Sequence, residues 1–213
     1  MNRRAFQSRS RIQSLSRSAW SKGAQVSVLL LAASACYRLT PEEGRRVEVV
    51  TQANLAVAQP VDVAIAPIVD VSQEGRALPS DELRRAFQLA LLERRYSPLA
   101  LDYVDAAVPM EASYVPGAVR EDATMIVTVE RWDTSQWPAH DALGVTIEVV
   151  LVDPDAPLGA ELWKARVDRR YDRAVFGPTI TSLSEPMRIR AACEKIAQDL
   201  LAVMPARTAT PGR

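Results

Sequence analysis

Two carboxylates, Glu130 and Glu148, and two cations, Lys164 and Arg166, are the side chains whose spacing comes nearest to an acid–base site. Glu130 and Glu148 fall on the strand faces opposite Val129 and Val149, and Lys164 and Arg166 stand two apart on a third strand-like run. Two carboxylates on one face can divide the roles of general acid and general base. Opposite charges also face one another routinely on the solvated side of an antiparallel sheet, and that is the reading the pattern favours. An enzyme would need a cleft that gathers Glu130, Glu148 and His140, the single histidine. With that one histidine and only two cysteines, Cys36 and Cys193, a zinc or haem site has almost no ligands to draw on. Cys193 falls within a helical apolar stripe and reads as a buried, inert thiol. Asp153 and Asp155 lack the glycine and distal glutamate spacing of a calcium loop and read as a turn. The chain has no Gly-rich phosphate loop, no G-x-S-x-G and no Cys/His pair. The expectation is no catalytic residue, no metal and no cofactor.

Cys36 is different, because of what precedes it. Residues 24–35 form a short apolar run broken by Gln25, Ser27 and Ser34, too short for the roughly 20 apolar residues a membrane-spanning helix needs. Ahead of it lie Arg3, Arg4, Arg9, Arg11, Arg17 and Lys22, and no acidic residue appears before Glu42. A basic leader, a short apolar core and small residues at a break make a secretory signal peptide, here residues 1–35. Leu31-Ala32-Ala33-Ser34-Ala35-Cys36 resembles the lipobox of bacterial lipoproteins, with Ala33 where that family usually has Leu. The resemblance implies cleavage before Cys36 and acylation of its thiol, so that lipid holds the protein to a bilayer. The alternative is ordinary cleavage after Ala33-Ser34-Ala35, leaving Cys36 free. Tyr37 follows the cysteine where many inner-membrane lipoproteins carry Asp, so the expected location is the outer membrane, facing the periplasm. Arg3-Arg4-Ala5-Phe6 resembles a twin-arginine export motif but lies far ahead of the apolar core, so a plain Sec signal is the other route.

The full chain carries 26 basic and 26 acidic residues. Removing the six basic residues of the leader leaves 20 against 26, a net charge of −6, which argues against nucleic acid as a partner. The remaining length suits one domain with one core.

Residues 36–60 read as a tether, with Thr40-Pro41-Glu42-Glu43 shaped like a helix start but followed by the β-branched Val47, Val49, Val50 and Thr51. The α/β domain is expected over 61–205, with a disordered tail at 206–213. Val61, Val63 and Ile65 alternate as a strand that Pro67 closes. Ser80 is placed as N-cap of a helix lined by Leu83, Phe87, Ala90 and Leu91. A second strand at 96–101, weakened by Pro98, belongs at an edge, parallel to the first. Asp102 is placed as cap of a short helix. Three further strands follow at 124–132, 145–152 and 161–168, the last two as a hairpin. A long helix opens at Ser184-Glu185-Pro186 with Ile189, Ala192, Cys193, Ile196, Ala197 and Leu200 on one stripe, and Pro205 stops it. The predicted architecture is a mixed five-stranded sheet in β-α-β-α-β-β-β-α order, packed by at least two helices.

"VAIAPIVD", "DATMIVTVERWD" and "LVDPDAPLGAELWKARV" resemble, respectively, the opening strand, the Asp-led second-half strand and the hairpin of envelope lipoproteins related to the TolB amino-terminal domain and CsgG. Pro157-Leu158 lengthens the hairpin turn relative to that family. The resemblance spans roughly residues 61–203. It implies a non-catalytic assembly, secretion or transport accessory with an envelope protein or a second copy as partner. The rival expectation is a transport auxiliary that binds lipid or another small ligand. Within "ERWDTSQWPAHDALG", Trp137 sits among polar loop residues and is a candidate partner contact, with Trp132 beside it at a strand end. Packing of Trp137 on Pro138 or the hairpin edge is the local alternative.

Overall fold

The computed structural model describes residues 47–208 apart from 53, 73–77, 109–113 and 157–158. The signal segment 1–35, Cys36, the Thr40-Pro41 helix start and the end of the tail lie outside the described residues. In chain order the elements are β1 (Glu48–Thr51), α1 (Leu55–Ala58), β2 (Asp62–Ile65), β3 (Val69–Asp70), α2 (Ser80–Glu93), β4 (Ser97–Pro98), α3 (Leu101–Ala106), β5 (Ala123–Asp133), α4 (Trp137–His140), β6 (Leu143–Asp153), β7 (Ala160–Tyr171), α5 (Arg173–Phe176), a 3-10 turn (Pro178–Ser182) and α6 (Glu185–Ala202).

The strands make one mixed sheet in the order β1-β7-β6-β5-β2-β4, with β3 pairing β5 beyond the end of β2. β2 runs parallel to both β4 and β5, and the connection from β2 to β4 crosses over through α2. β5, β6 and β7 form an antiparallel meander. Seven strands stand where the pattern gives five. β1 is one addition: Val49 and its neighbours, undecided between helix and strand, find the edge of β7 and become a strand, so the sheet includes residues upstream of 61. β3 is the other, two residues that take up the half of β5 left free by β2.

Alternation divides the sheet cleanly. Met125, Val127 and Val129 of β5, Val145, Ile147, Val149 and Leu151 of β6, and Trp163, Ala165 and Val167 of β7 are fully buried. They belong to the same core as Leu83, Phe87 and Leu91 of α2 and Ile196 and Leu200 of α6, two helices packed side by side. On the other face Thr128, Glu148 and Arg166 stand in register across β5, β6 and β7.

Two helix starts differ from expectation by one residue or two. Pro79 takes the cap position of α2 because its carbonyl already accepts from Leu83, so Ser80 is the first helical residue. Ala100 precedes α3, which leaves Asp102 inside the first turn, where its charge still suits the helix dipole. Ser184 is at the cap of α6 as expected, without a side-chain bond to the backbone.

Candidate functional site

The charged sheet face is assembled as pairs. Lys164 meets Glu148 at 2.9 Å, Arg166 meets Glu130, and Arg131 meets Asp168 at 2.9 Å. The hydrogen bond to Glu148 raises the Lys164 pKa, so this ammonium stays charged. Glu130 is the extra residue where β5 slips register against β6 between Val129 and Arg131. His140 ends α4, in the connection beyond Asp133, whereas Glu148 lies opposite Thr128. Gly144, the partner of Asp133, is four strand residues from Glu148, roughly 13 Å at the usual rise. The fold therefore sets His140 apart from Glu148, while Glu130 and Glu148 share one sheet face, where Glu130 bonds Arg166, the residue in register with Glu148. Among the described residues no group of three or more His, Cys, Asp or Glu is placed to hold a metal.

Cys193 is buried in the α6 stripe, and burial pushes its thiol pKa up to about 12. A thiol so placed is neutral and unreactive.

Trp132 and Trp137 are 4% and 5% exposed, so neither offers its ring as a surface anchor. Trp137 opens α4, and its indole meets Phe176 of α5 edge-on, with ring centres 5.9 Å apart. The Arg188 guanidinium lies 5.8 Å from the centre of the same indole and is held by Asp141 at 3.0 Å. The polar sequence around Trp137 hides this, because Phe176 and Arg188 arrive from the far end of the chain. What the two tryptophans do line is an open cavity of about 430 Å³, with Pro79, Pro138, Leu143 and Ile189.

A second concavity runs between α2 and α6, about 470 Å³, lined by Glu82, Arg85, Leu89, Met187, Arg190 and Glu194. Leu89 and Met187 are 48% and 56% exposed, large apolar side chains left in water on adjacent helices. Both signs of charge flank them.

Three polar residues that the sequence did not single out hold the framework. Glu121 is buried and accepts from the Tyr114 hydroxyl at 2.7 Å, the Gly117 amide at 2.8 Å, the Val119 amide at 3.2 Å and the Thr124 hydroxyl. Burial alone would raise its pKa, but the bonds from Thr124, Tyr114 and the backbone outweigh it and hold the carboxyl below the ordinary range. Asp122 accepts from the amides of Val61 and Asp62 at 2.8 and 3.1 Å, joining the starts of β5 and β2. Arg84 is buried in α2 and bonds the end of β2 and Asp105 of α3.

No family model matches the chain, and no curated protein matches it. Among solved structures it is similar to a PelC dodecamer from Paraburkholderia phytofirmans, at 16% identity over 76% of this chain and 99% of that one, with a TM-score of 0.48. It is also similar to lipoprotein GNA1162 from Neisseria meningitidis, at 18% identity over 65% and 99% of the two chains and a TM-score of 0.45. A DUF4136 family protein from Bacteroides thetaiotaomicron gives 10% identity over 75% and 98%, with a TM-score of 0.39. None of these likenesses bears on what this chain binds.

Proposed function

We propose that this protein is a lipid-anchored lipoprotein of the cell envelope whose folded domain is a protein-interaction module, an accessory to assembly or secretion with no chemistry of its own. The observation that carries this reading is the α2–α6 groove, where Leu89 and Met187 remain exposed between Glu82, Arg85, Arg190 and Glu194. An apolar strip bordered by charges of both signs is the surface a protein partner covers: the apolar atoms give affinity and the rim gives register. The pairing of Glu148 with Lys164 and of Glu130 with Arg166 supports a structural role for those carboxylates. The anchor rests on the basic leader, the short apolar run and Cys36; outer-membrane residence rests on Tyr37.

Crosslinking in intact envelopes tests the module. Leu89→Glu with Met187→Glu should leave the melting curve unchanged and abolish recovery of the crosslinked partner; undiminished recovery overturns the groove as the contact. The anchor is tested separately, since labelled fatty acid should enter the wild type and not Cys36→Ser.

A second reading, an auxiliary that binds lipid or another small ligand, draws on the cavity between Trp132, Trp137 and Ile189. It predicts a shift in indole fluorescence when short-chain lipid is titrated in, and the interaction reading predicts none.

A further inference from the structure

The face of α2 turned away from the core is not uniformly polar. Leu83, Phe87, Ala90 and Leu91 are buried on one side, and Asp81, Arg85, Leu89 and Leu92 follow one another at helical spacing on the opposite side. Leu89 and Leu92 are 48% and 53% exposed, although each would gain by leaving water. Asp81, Glu82, Arg85 and Glu93 are exposed around them, and Arg95 is exposed just past the last turn. From this pattern we infer that the outer face of α2 is a self-association surface, on which α2 of a second copy packs antiparallel about a two-fold axis beside Leu89. The inference rests on the α2–α6 groove as the contact and names its occupant, since Leu89 is part of the groove wall.

The order of charges along α2 selects both the occupant and its direction. Read from the helix start, the exposed face carries Asp81 and Glu82, then Arg85, then Leu89 and Leu92, then Glu93 and Arg95. In an antiparallel pair centred on Leu89, residue 85 of one copy falls opposite residue 93 of the other. Arg85 then meets Glu93 twice, once on each side of the axis, and Leu89 seats against Leu89 and Leu92 between them. Asp81 and Glu82 come over the Arg95 end of the opposite helix, and the two helix dipoles oppose. Asp81, Arg85, Leu89 and Glu93 also form a ridge of residues four apart, the kind of ridge by which helices most often pack. Within one copy, eight residues, or roughly 12 Å of helix, keep Arg85 from Glu93. A parallel pair would set Arg85 against Arg85 and Glu93 against Glu93. An antiparallel pair centred on Arg85 opposes that residue to itself, and one centred on Leu92 carries Arg85 past the end of the other helix. Charge therefore fixes the register that also covers the leucines.

Sedimentation of the full chain in mild detergent, over a concentration series, tests it. Wild type should dimerise. Arg85→Glu and Glu93→Arg should each weaken the dimer by about tenfold, since each turns two attractions into two repulsions. Mixing the two single variants should restore association, because in the mixed dimer every residue 85 meets an opposite charge at 93. Both side chains are exposed, so the melting curves should match the wild type, and complementation cannot come from misfolding. Leu89→Glu should abolish the dimer by setting two carboxylates at the axis. A monomeric wild type overturns the inference, as does a dimer indifferent to Leu89→Glu, or single variants that fail to complement. The envelope crosslink separates this failure from failure of the groove itself. A monomeric wild type whose crosslinked partner is still lost in Leu89→Glu with Met187→Glu holds a different protein in the groove, and undiminished recovery in that double variant overturns both.

Discussion

Arg84, inside α2, donates two hydrogen bonds to the carbonyl oxygen of Ile65 at the end of β2, at 3.0 and 2.6 Å. Its remaining nitrogen reaches Asp105 of α3. One buried guanidinium thus closes the end of an inner strand and ties two helices to it. Removing it leaves a buried carbonyl without a donor, which costs about 1–3 kcal/mol, before any loss of packing. Arg84→Met should therefore destabilise the fold by at least that amount in urea unfolding. Asp105→Ala should cost under about 1 kcal/mol, because the Asp105 side chain is half exposed. Equal losses for the two variants would place the stability in the ion pair and not in the strand end.

Glu121 makes stability depend on acid. Its folded carboxyl titrates below the ordinary Glu value of 4.5. A depressed folded pKa means that the stabilisation is fully present above the unfolded value and is lost as pH falls from near 4.5 through the folded pKa. Glu121→Gln removes this dependence and turns an amide NH2 toward donors from Tyr114, Gly117 and Val119. The variant should be less stable at pH 7 by about 1–3 kcal/mol. Its stability should also fall less steeply below pH 4.5 than that of the wild type. Parallel acid-unfolding curves would show that Glu121 titrates alike in both states.

Trp137 should behave as a core residue. It packs edge-on against Phe176 and beneath Arg188, and truncating a buried Trp to Ala costs about 3–5 kcal/mol. Trp137→Ala should lower the melting temperature by many degrees, with partner recovery per folded molecule unchanged. Weakened recovery at full stability would return the residue to the interface.

The legible parts of this fold were those in which one pattern had one physical cause. β5, β6 and β7 alternate because one face meets helices and the other meets water, and their register follows. The long stripe of α6 is legible for the same reason. β1 was not, because Val49, Val50 and Thr51 fit a strand only once the edge of β7 is there to receive them. β3 is too short to show any period. Arg84 and Glu121 drew no notice in the sequence, although Arg84 lies three before Phe87 and seven before Leu91, on the apolar stripe itself, which was the available signal. Trp137 is buried although its neighbours in sequence are polar, because Phe176 and Arg188 reach its ring from distant parts of the chain. Glu130 and Glu148 pair with the cations beside them, the arrangement that the alternation of a solvated antiparallel face favours.

Ile196 tests the helix that completes the core. It is fully buried in α6, one turn below Cys193 and Ala192, and belongs to the same cluster as Trp163 and Val167 of β7. Because it is fully buried, removing its outer carbons leaves a cavity that neighbours locked between helix and sheet can close only in part. Ile196→Ala should cost about 2–5 kcal/mol, a large share of the 5–15 kcal/mol that holds a typical domain. Exposed Gln198, two residues on, supplies the control: Gln198→Ala should stay within about 0.5 kcal/mol of wild type. Chemical unfolding of both variants checks the contrast. If Ile196→Ala unfolds at the wild-type midpoint, α6 is peripheral to the core, and the groove it forms with α2 loses the rigid wall a partner would need.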